Sequence, residues 1–282
     1  MSNVLRDDLA AAWLGSDPFE QAARQEGEIF RQREGRRTLR FVHSGKGYFL
    51  KYHGGIGWRE IVKNLGQGKL PVLGAMQEVR AIEAVRAAGL DTMTVAGYGC
   101  RGFNPARHES FLVTDELVNT LSLEELGEDW LKAGEVPVKF KRQLIIRVAE
   151  IARRMHGAGI NHRDFYLAHF LMPVSAARAK DEHAPLFLID LHRSQVRRSV
   201  PRRWRVKDLG GLYFSTARYG LTRRDVLRFL REYSGLSLRE VLARDASLLT
   251  AVQREGEKIY KRYYEKTPKF PLQFNPHPGK DI

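Results

Sequence analysis

The hydrophobic pattern of this chain is mainly strand-like up to about residue 120 and mainly helical beyond it, and that change fixes its gross organisation. Along "EIFRQRE", "RTLRFVHS" and "GYFLKYH", between residues 28 and 53, the pattern is that of half-buried strands. "SGKG" at 44–47 supplies the turn between the last two. In "MQEVRAIEAVRAAG", Met76, Val79, Ile82 and Val85 recur every three residues before Gly89, which predicts a helix and its cap. "MTVAGYGC" and "ESFLVTDE" are two further candidate strands.

From Ser122 onward the pattern is mainly helical. Ser122-Leu-Glu-Glu125 is a capping-box sequence that opens a short helix. In "KRQLIIRVAEIARRMHGAG", Leu144, Val148, Ile151 and Met155 lie on one face, and Gly157 and Gly159 stop the helix. "APLFLID" reads as a short strand ending in Asp190. "DLGGLYFSTARYG", "TRRDVLRFLREYSG" and "SLREVLARDASLLTAVQREGEKIYKRYYEK" read as helices. The expected class is α+β. Residues 1–27 form an N-terminal extension and 28–117 a small antiparallel-sheet lobe with one main helix. Residues 118–270 form a larger, mostly helical lobe, and 271–282 a flexible tail.

Composition narrows the chemistry. A single cysteine, Cys100, excludes a disulfide within the chain and a cysteine-rich metal site; after Gly-Tyr-Gly it reads as a small buried residue. The early charges of "MSNVLRDDLAAAWLGSD" do not fit a signal peptide, and no apolar run approaches the roughly 18 residues of a membrane span. The expected compartment is cytoplasmic. The formal net charge of +14 points to anionic partners: nucleic acid, membrane surface, acidic protein or phosphorylated small molecule.

Phosphoryl transfer from ATP needs a lysine on the phosphates, a carboxylate to orient it, metal ligands, and a second carboxylate for the acceptor hydroxyl. The chain offers these in order. Lys51 ends the apolar strand "YFLKYH", and Glu78 lies on the next strong helix. Asp164 sits in "GINHRDFYLAHFLM", a loop directly after a helix, and Asp190 closes a strand 26 residues later. Alone, each has a plain reading: surface strand lysine, solvated helix glutamate, turn aspartate. Their joint order is far more specific than any one of them. For His169, packed core histidine and metal ligand both stand, whereas His183 carries no functional reading.

With these residues in place, the chain resembles the protein-kinase-like fold, and more closely the bacterial lipopolysaccharide core heptose(I) kinases. The blocks carrying the closer resemblance are "GIGWREIVKNLGQGKLPVLGAMQE", "NHRDFYLAHFL", "LIDLHRSQVR" and "RWRVKDLGGLYFS". The resemblance implies an ATP-dependent kinase that phosphorylates the first heptose of the lipopolysaccharide inner core, peripheral on the cytoplasmic face of the inner membrane. It implies Lys51 as the ATP lysine, Glu78 as its partner, Asp164 as catalytic base and Asp190 as ligand of Mg²⁺. Asp208 would brace the loop formed by His162, Arg163 and Asp164. "VTDEL", with Asp115 and Leu117, would be the hinge whose backbone meets adenine.

The sequence departs from the kinase pattern in three places. His169 stands where kinases place asparagine, so Mn²⁺ joins Mg²⁺ as a candidate cofactor. Asp190 is followed by Leu-His with no glycine, which implies a constitutive enzyme. The phosphate loop "REGRRTLR" has only Gly35, with Arg36 and Arg37 as charges that would replace backbone contacts.

Half the net charge lies in residues 193–207, as Arg193, Arg197, Arg198, Arg202, Arg203, Arg205 and Lys207 with no acid among them. A charge run is ordinarily a solvated face. In a kinase fold this one lines the acceptor side, which makes Arg197, Arg198, Arg202 and Arg203 candidate acceptor-binding residues. Anionic lipid headgroups would use the same surface, with "KNLGQGKL" and "EKIYKRYYEK" adding contacts, and so would an acidic protein partner. No aromatic-basic motif of a specific nucleic-acid binder is present. Two alternatives stand beside the sugar kinase. One is a Ser/Thr/Tyr protein kinase, against which the Ala-Pro-Glu segment is missing. The other is a kinase-like, membrane-associated binding module, against which the lysine and both aspartates are present.

Overall fold

The structure, a computed structural model, describes residues 2–33, 35–55, 57, 58, 74–266 and 271. Two sequence readings fall largely outside them. One is most of the block beginning "GIGWRE", with Lys63 and Lys69; the other is the tail at 271–282, apart from residue 271. The chain divides into two compact units, Met1–Glu83 with Met93–Val118, and Ala84–Thr92 with Asn119–Ile282.

The first unit is built on a six-stranded antiparallel sheet. Its strands are β1 (Ser2–Leu5), β2 (Glu28–Arg33), β3 (Arg36–His43), β4 (Lys46–His53), β5 (Val95–Arg101) and β6 (Glu109–Asp115), in the order β1-β5-β6-β4-β3-β2. Ser44 and Gly45 both adopt positive φ (48° and 75°), the two-residue turn that matches strand twist between β3 and β4. Two helices that the periodicity of the first residues does not announce, α1 (Asp7–Ala12) and α2 (Pro18–Arg24), cover one sheet face. Leu9, Trp13 and Phe19 bury there against Leu39, Phe41, Tyr48, Leu50 and Phe111. Alternation along β4 therefore sends Lys51 to the opposite face, with its cross-strand partners Thr38 and Leu112. The third helix, α3 (Met76–Ala87), buries Val79, Ile82 and Val85 as predicted.

Two sequence readings change in this unit. Arg37 is not a phosphate-loop residue: it shares the α2 face, and its guanidinium donates to the carbonyls of Ala22 (3.2 Å) and Ala23 (2.8 Å) in the last turn of α2. Cys100 is half-buried, not buried. Gly99 faces Phe19 and Phe111, so alternation turns Cys100 to the other side near the end of its strand.

The second unit is mostly helical. Its helices are α4 (Leu123–Ala133), α5 (Val138–Gly157), α6 (Val174–Ala179), α7 (Arg202–Thr216), α8 (Arg223–Ser234), α9 (Leu238–Arg244) and α10 (Ala246–Tyr264). The predicted capping box at Ser122 is complete, since the side chains of Ser122 and Glu125 each take the other's backbone N–H. The last predicted helix is broken at Asp245 into α9 and α10. The strand ending in Asp190 is shorter than expected, with only β10 (Phe187–Leu188) paired. It joins β9 (Phe170–Pro173) and β7 (Thr120–Ser122) in one small sheet. The other small sheet pairs β8 (Ile160–Asn161) with β11 (Gln195–Val196), which lays the basic segment beside the His162-Arg163-Asp164 loop. Gly159 is required here: its φ is +77°, and a Cβ would collide with the Arg197 carbonyl.

These are an antiparallel-sheet unit with one main helix beyond its N-terminal pair, and a helical unit carrying a braced loop. Together they make the protein-kinase-like fold.

Candidate active site

In the first unit, Lys51 meets Glu78 in an ion pair of 2.6 Å. Glu78 is only 3 % exposed, so it is not a solvated helix residue, and a buried carboxylate needs a partner such as this one. The pair fixes a lysine on the sheet face opposite α1 and α2. At the end of β6, the backbone N–H groups of Asp115 and Glu116 donate to the carbonyls of Thr94 (2.8 Å) and Gly47 (3.0 Å). The Asp115 side chain takes Arg6 (2.6 Å) and Lys46 (3.0 Å). The Asp115 side chain is thus engaged within this unit.

In the second unit, the 162–164 loop hangs from one carboxylate. Asp208 on α7 is fully buried and accepts the backbone N–H groups of His162 (2.8 Å) and Arg163 (2.7 Å). It also faces His156 Nε2 at 3.2 Å, while His156 Nδ1 lies 2.9 Å from the Tyr233 hydroxyl. Because the carboxylate can only accept, His156 donates through Nε2, and in the neutral ring Tyr233 donates to Nδ1. Burial pushes the Tyr233 phenol up to about 12, which keeps it a donor at neutral pH. Sequence reading found Asp208 but missed His156 and Tyr233, since nothing local marks residues on two different helices.

Both histidines of the loop have defined tautomers. His162 Nδ1 accepts from the Asp164 N–H (3.3 Å), so its Nε2 donates to the Ile189 carbonyl (2.9 Å). Burial holds its imidazole below the ordinary histidine value, hence neutral. His169 Nδ1 lies 2.6 Å from the Asp164 carbonyl and must donate to it. In the neutral ring this leaves the Nε2 lone pair facing Asp190 Oδ2 at 3.5 Å. Two lone-pair donors so placed fit a divalent cation between them. Among the described residues no group of three or more His, Cys, Asp or Glu could hold a metal, so an ion here would fill its other positions with phosphate oxygens and water. The His169 ring is largely buried and lies beside Asp190, a placement compatible with both of its readings.

Asp190 adopts the left-handed conformation (φ 61°), and its other oxygen accepts from His192 Nδ1 (2.5 Å). Asp190 is followed by Leu-His with no glycine, and Leu191 is wholly buried and anchors the segment. Arg193 then points its guanidinium at Asp164, with Nη1 2.7 Å from Oδ1 and 3.1 Å from Oδ2. Neither His192 nor Arg193 was singled out from the sequence, where both sit inside a longer basic run.

The four arginines read as acceptor-binding are not alike. Arg197 is held by Asn161 Oδ1 (2.5 Å) and Gln195 Oε1 (2.6 Å). Arg202 donates to the Ser247 carbonyl (2.8 Å), Arg203 lies over Trp204, and Arg198 is exposed. No helix among the described residues is long and apolar enough to cross a membrane. The interior of the second unit contains an apolar cavity lined by Leu126, Trp130, Leu144, Val148, Leu212 and Val226, among others.

A lysine–glutamate pair on a sheet, a braced aspartate loop and an aspartate–histidine donor pair define a phosphotransferase. The family model of the lipopolysaccharide kinases (Kdo/WaaP) matches residues 20–233, and the chain belongs to that family. It is 49 % identical over 262 residues to the lipopolysaccharide core heptose(I) kinase WaaP of Pseudomonas aeruginosa, covering 93 % of this chain and 97 % of the relative. To the protein of the same name from Escherichia coli it is 46 % identical over 262 residues, covering 93 % and 98 %. A solved structure of WaaP in complex with acyl carrier protein superposes with a TM-score of 0.78 at 44 % identity, covering 92 % of this chain and all of that one.

Proposed function

We propose that this chain transfers the γ-phosphoryl group of ATP to a hydroxyl of the first heptose of the lipopolysaccharide inner core. The observation that carries the reading is the Asp164 carboxylate, presented by a loop whose backbone is fixed by the buried Asp208. The names borne by relatives at 46 % to 49 % identity supply the substrate.

In this reading residues 28–117 bind ATP, and 118–270 carry the chemistry and the acceptor. Lys51, oriented by Glu78, offsets the charge of the α and β phosphates, and the backbone of Asp115 and Leu117 meets the adenine edge. Asp190 and His169 would hold Mg²⁺ or Mn²⁺, which when bound supplies further positive charge to the phosphates. Asp164 orients the heptose hydroxyl and accepts its proton as the phosphoryl group leaves ADP. The transition state is loose, so positioning and electrostatics supply most of the catalysis. With Leu191 anchoring the segment after Asp190, the enzyme is constitutive.

The basic run suits the anionic inner face of the inner membrane, where each basic residue would contribute about 1 kcal/mol. The same surface suits an acidic protein, and acyl carrier protein is the partner named for the structural relative.

The test is transfer of γ-³²P from ATP to core-truncated lipopolysaccharide ending at unphosphorylated heptose, with Asp164→Ala as control. Label on the sugar with the wild type alone supports the reading. Label on protein instead would replace it with a protein kinase, and no transfer despite ATP binding would leave a binding module.

A further inference from the structure

Four cations surround one indole. The guanidinium carbon of Arg163 lies 4.8 Å from the Trp204 ring centroid, that of Arg203 5.2 Å and that of Arg197 5.9 Å, with Lys207 Nζ at 5.5 Å. Each such contact is weak at an exposed site, and the like charges repel. The carboxylates nearby are already engaged. Asp164 holds Arg193, and Asp208 takes two backbone amides and His156.

Arg163 is the least compensated member. It is half-buried and has no carboxylate contact among the described residues, and its Nε is buried without a hydrogen-bond partner among them. The Trp204 Nε1 is in the same condition. Burial, then the neighbouring Arg193 and Arg197, holds the Arg163 guanidinium below its ordinary value, against the opposing charges of Asp164 and Asp208. Arg197 is fixed by Asn161 and Gln195, neutral oxygens that orient it without cancelling its charge. The Arg163 backbone sits at φ +76°, a conformation that strains an L-residue. Buried charges are ordinarily paired, so an oriented cluster that lacks its counter-charge is arranged for an anion from outside.

We propose that Arg163, Arg197 and Trp204 form an oxyanion site that takes a carboxylate or phosphate group carried on the acceptor. The inference rests on the proposed reaction and names the feature of the acceptor that is recognised. Arg163 and Asp164 are consecutive, with Cα atoms about 3.8 Å apart. The anion therefore belongs to the reacting sugar or its neighbour. Planar guanidinium groups fit either oxyanion, and the exposed Arg203 and Lys207 add attraction at longer range.

The test compares two soluble acceptors: the deacylated, acidic core oligosaccharide, and the same saccharide with carboxylates reduced and phosphates removed. Arg197→Gln should raise KM for the acidic acceptor on the order of tenfold and leave KM for ATP unchanged. The rise in KM should be several-fold smaller for the uncharged acceptor, and Arg197→Lys should recover part of the loss. Trp204→Phe, which keeps an aromatic face but removes the indole N–H, should give a smaller change in the same direction. A drop in kcat alone, or an equal rise in KM for both acceptors, overturns the proposal.

Calorimetric titration with inorganic phosphate, without ATP or acceptor, separates the source of the oxyanion. Phosphate binding lost in Arg197→Gln upholds the site, and the acceptor comparison then shows whether the group arrives on the saccharide. Absent or unaltered binding, together with equal KM changes, sinks it. If the wild type phosphorylates no saccharide, the proposed reaction fails, and the calorimetric result alone decides the site.

Discussion

One nitrogen of the Arg193 guanidinium reaches both carboxylate oxygens of Asp164, at 2.7 and 3.1 Å, across 29 residues of sequence. The pair is made possible by β8 and β11, which lay the two segments side by side. It gives the carboxylate one fixed orientation and puts a positive charge where the transferred group must pass. Arg193→Ala should therefore lower kcat about 10- to 100-fold, with KM for ATP little changed. Arg193→Lys should restore part of the loss. Steady-state transfer assays check this, and an unchanged kcat in the alanine variant would remove Arg193 from the mechanism.

Asp208 anchors the same loop from the inside. Asp208→Ala leaves two buried N–H groups and His156 without their acceptor, each worth roughly 1–3 kcal/mol. The expected outcome is a stability loss of several kcal/mol by chemical denaturation and a near-complete loss of transfer. Asp208→Asn retains the shape and one acceptor oxygen, so it should fold better while remaining impaired. If Asp208→Ala keeps both wild-type stability and wild-type rate, the brace is not what holds the loop.

His169 offers nitrogen where an oxygen donor would favour Mg²⁺. Chelation with EDTA should abolish transfer, and the ratio of Mn²⁺- to Mg²⁺-supported rates should fall in His169→Asn. Mn²⁺ binding followed by electron paramagnetic resonance, in the presence of ADP, should weaken in the same variant. Equal Mn²⁺ affinity in wild type and variant would return His169 to the role of a packed histidine.

The buried, neutral His162 makes stability depend on pH. Burial lowers its folded-state pKa, whereas in the unfolded chain the ring protonates through about 6.5. Below that value the unfolded state binds more protons, so the ring's contribution is fully present above about 6.5 and is lost as pH falls toward the folded value. Thermal midpoints measured from about pH 7.5 to about pH 5.5 should fall more steeply for the wild type than for His162→Gln. Parallel curves would show that another group sets the acid limb.

The strands from residue 28, the amphipathic helices, the capping box at Ser122 and the order of Lys51, Glu78, Asp164 and Asp190 were all legible in the sequence. These properties are local, because a period of two or of 3.6, a cap or a loop after a helix is written within a few consecutive residues. Tertiary structure decided which side chains share a face or a partner. It put α1 and α2 on the sheet face away from Lys51, turned Arg37 into a cap for α2 and left Cys100 half-buried. It also joined Arg193 to Asp164, tied Tyr233 and His156 to Asp208, and gathered four cations around Trp204. Each of these pairings spans long stretches of chain and depends on how helices and small sheets pack. Within one run of seven arginines and lysines, no local rule says which charge meets a carboxylate and which is left for an anion.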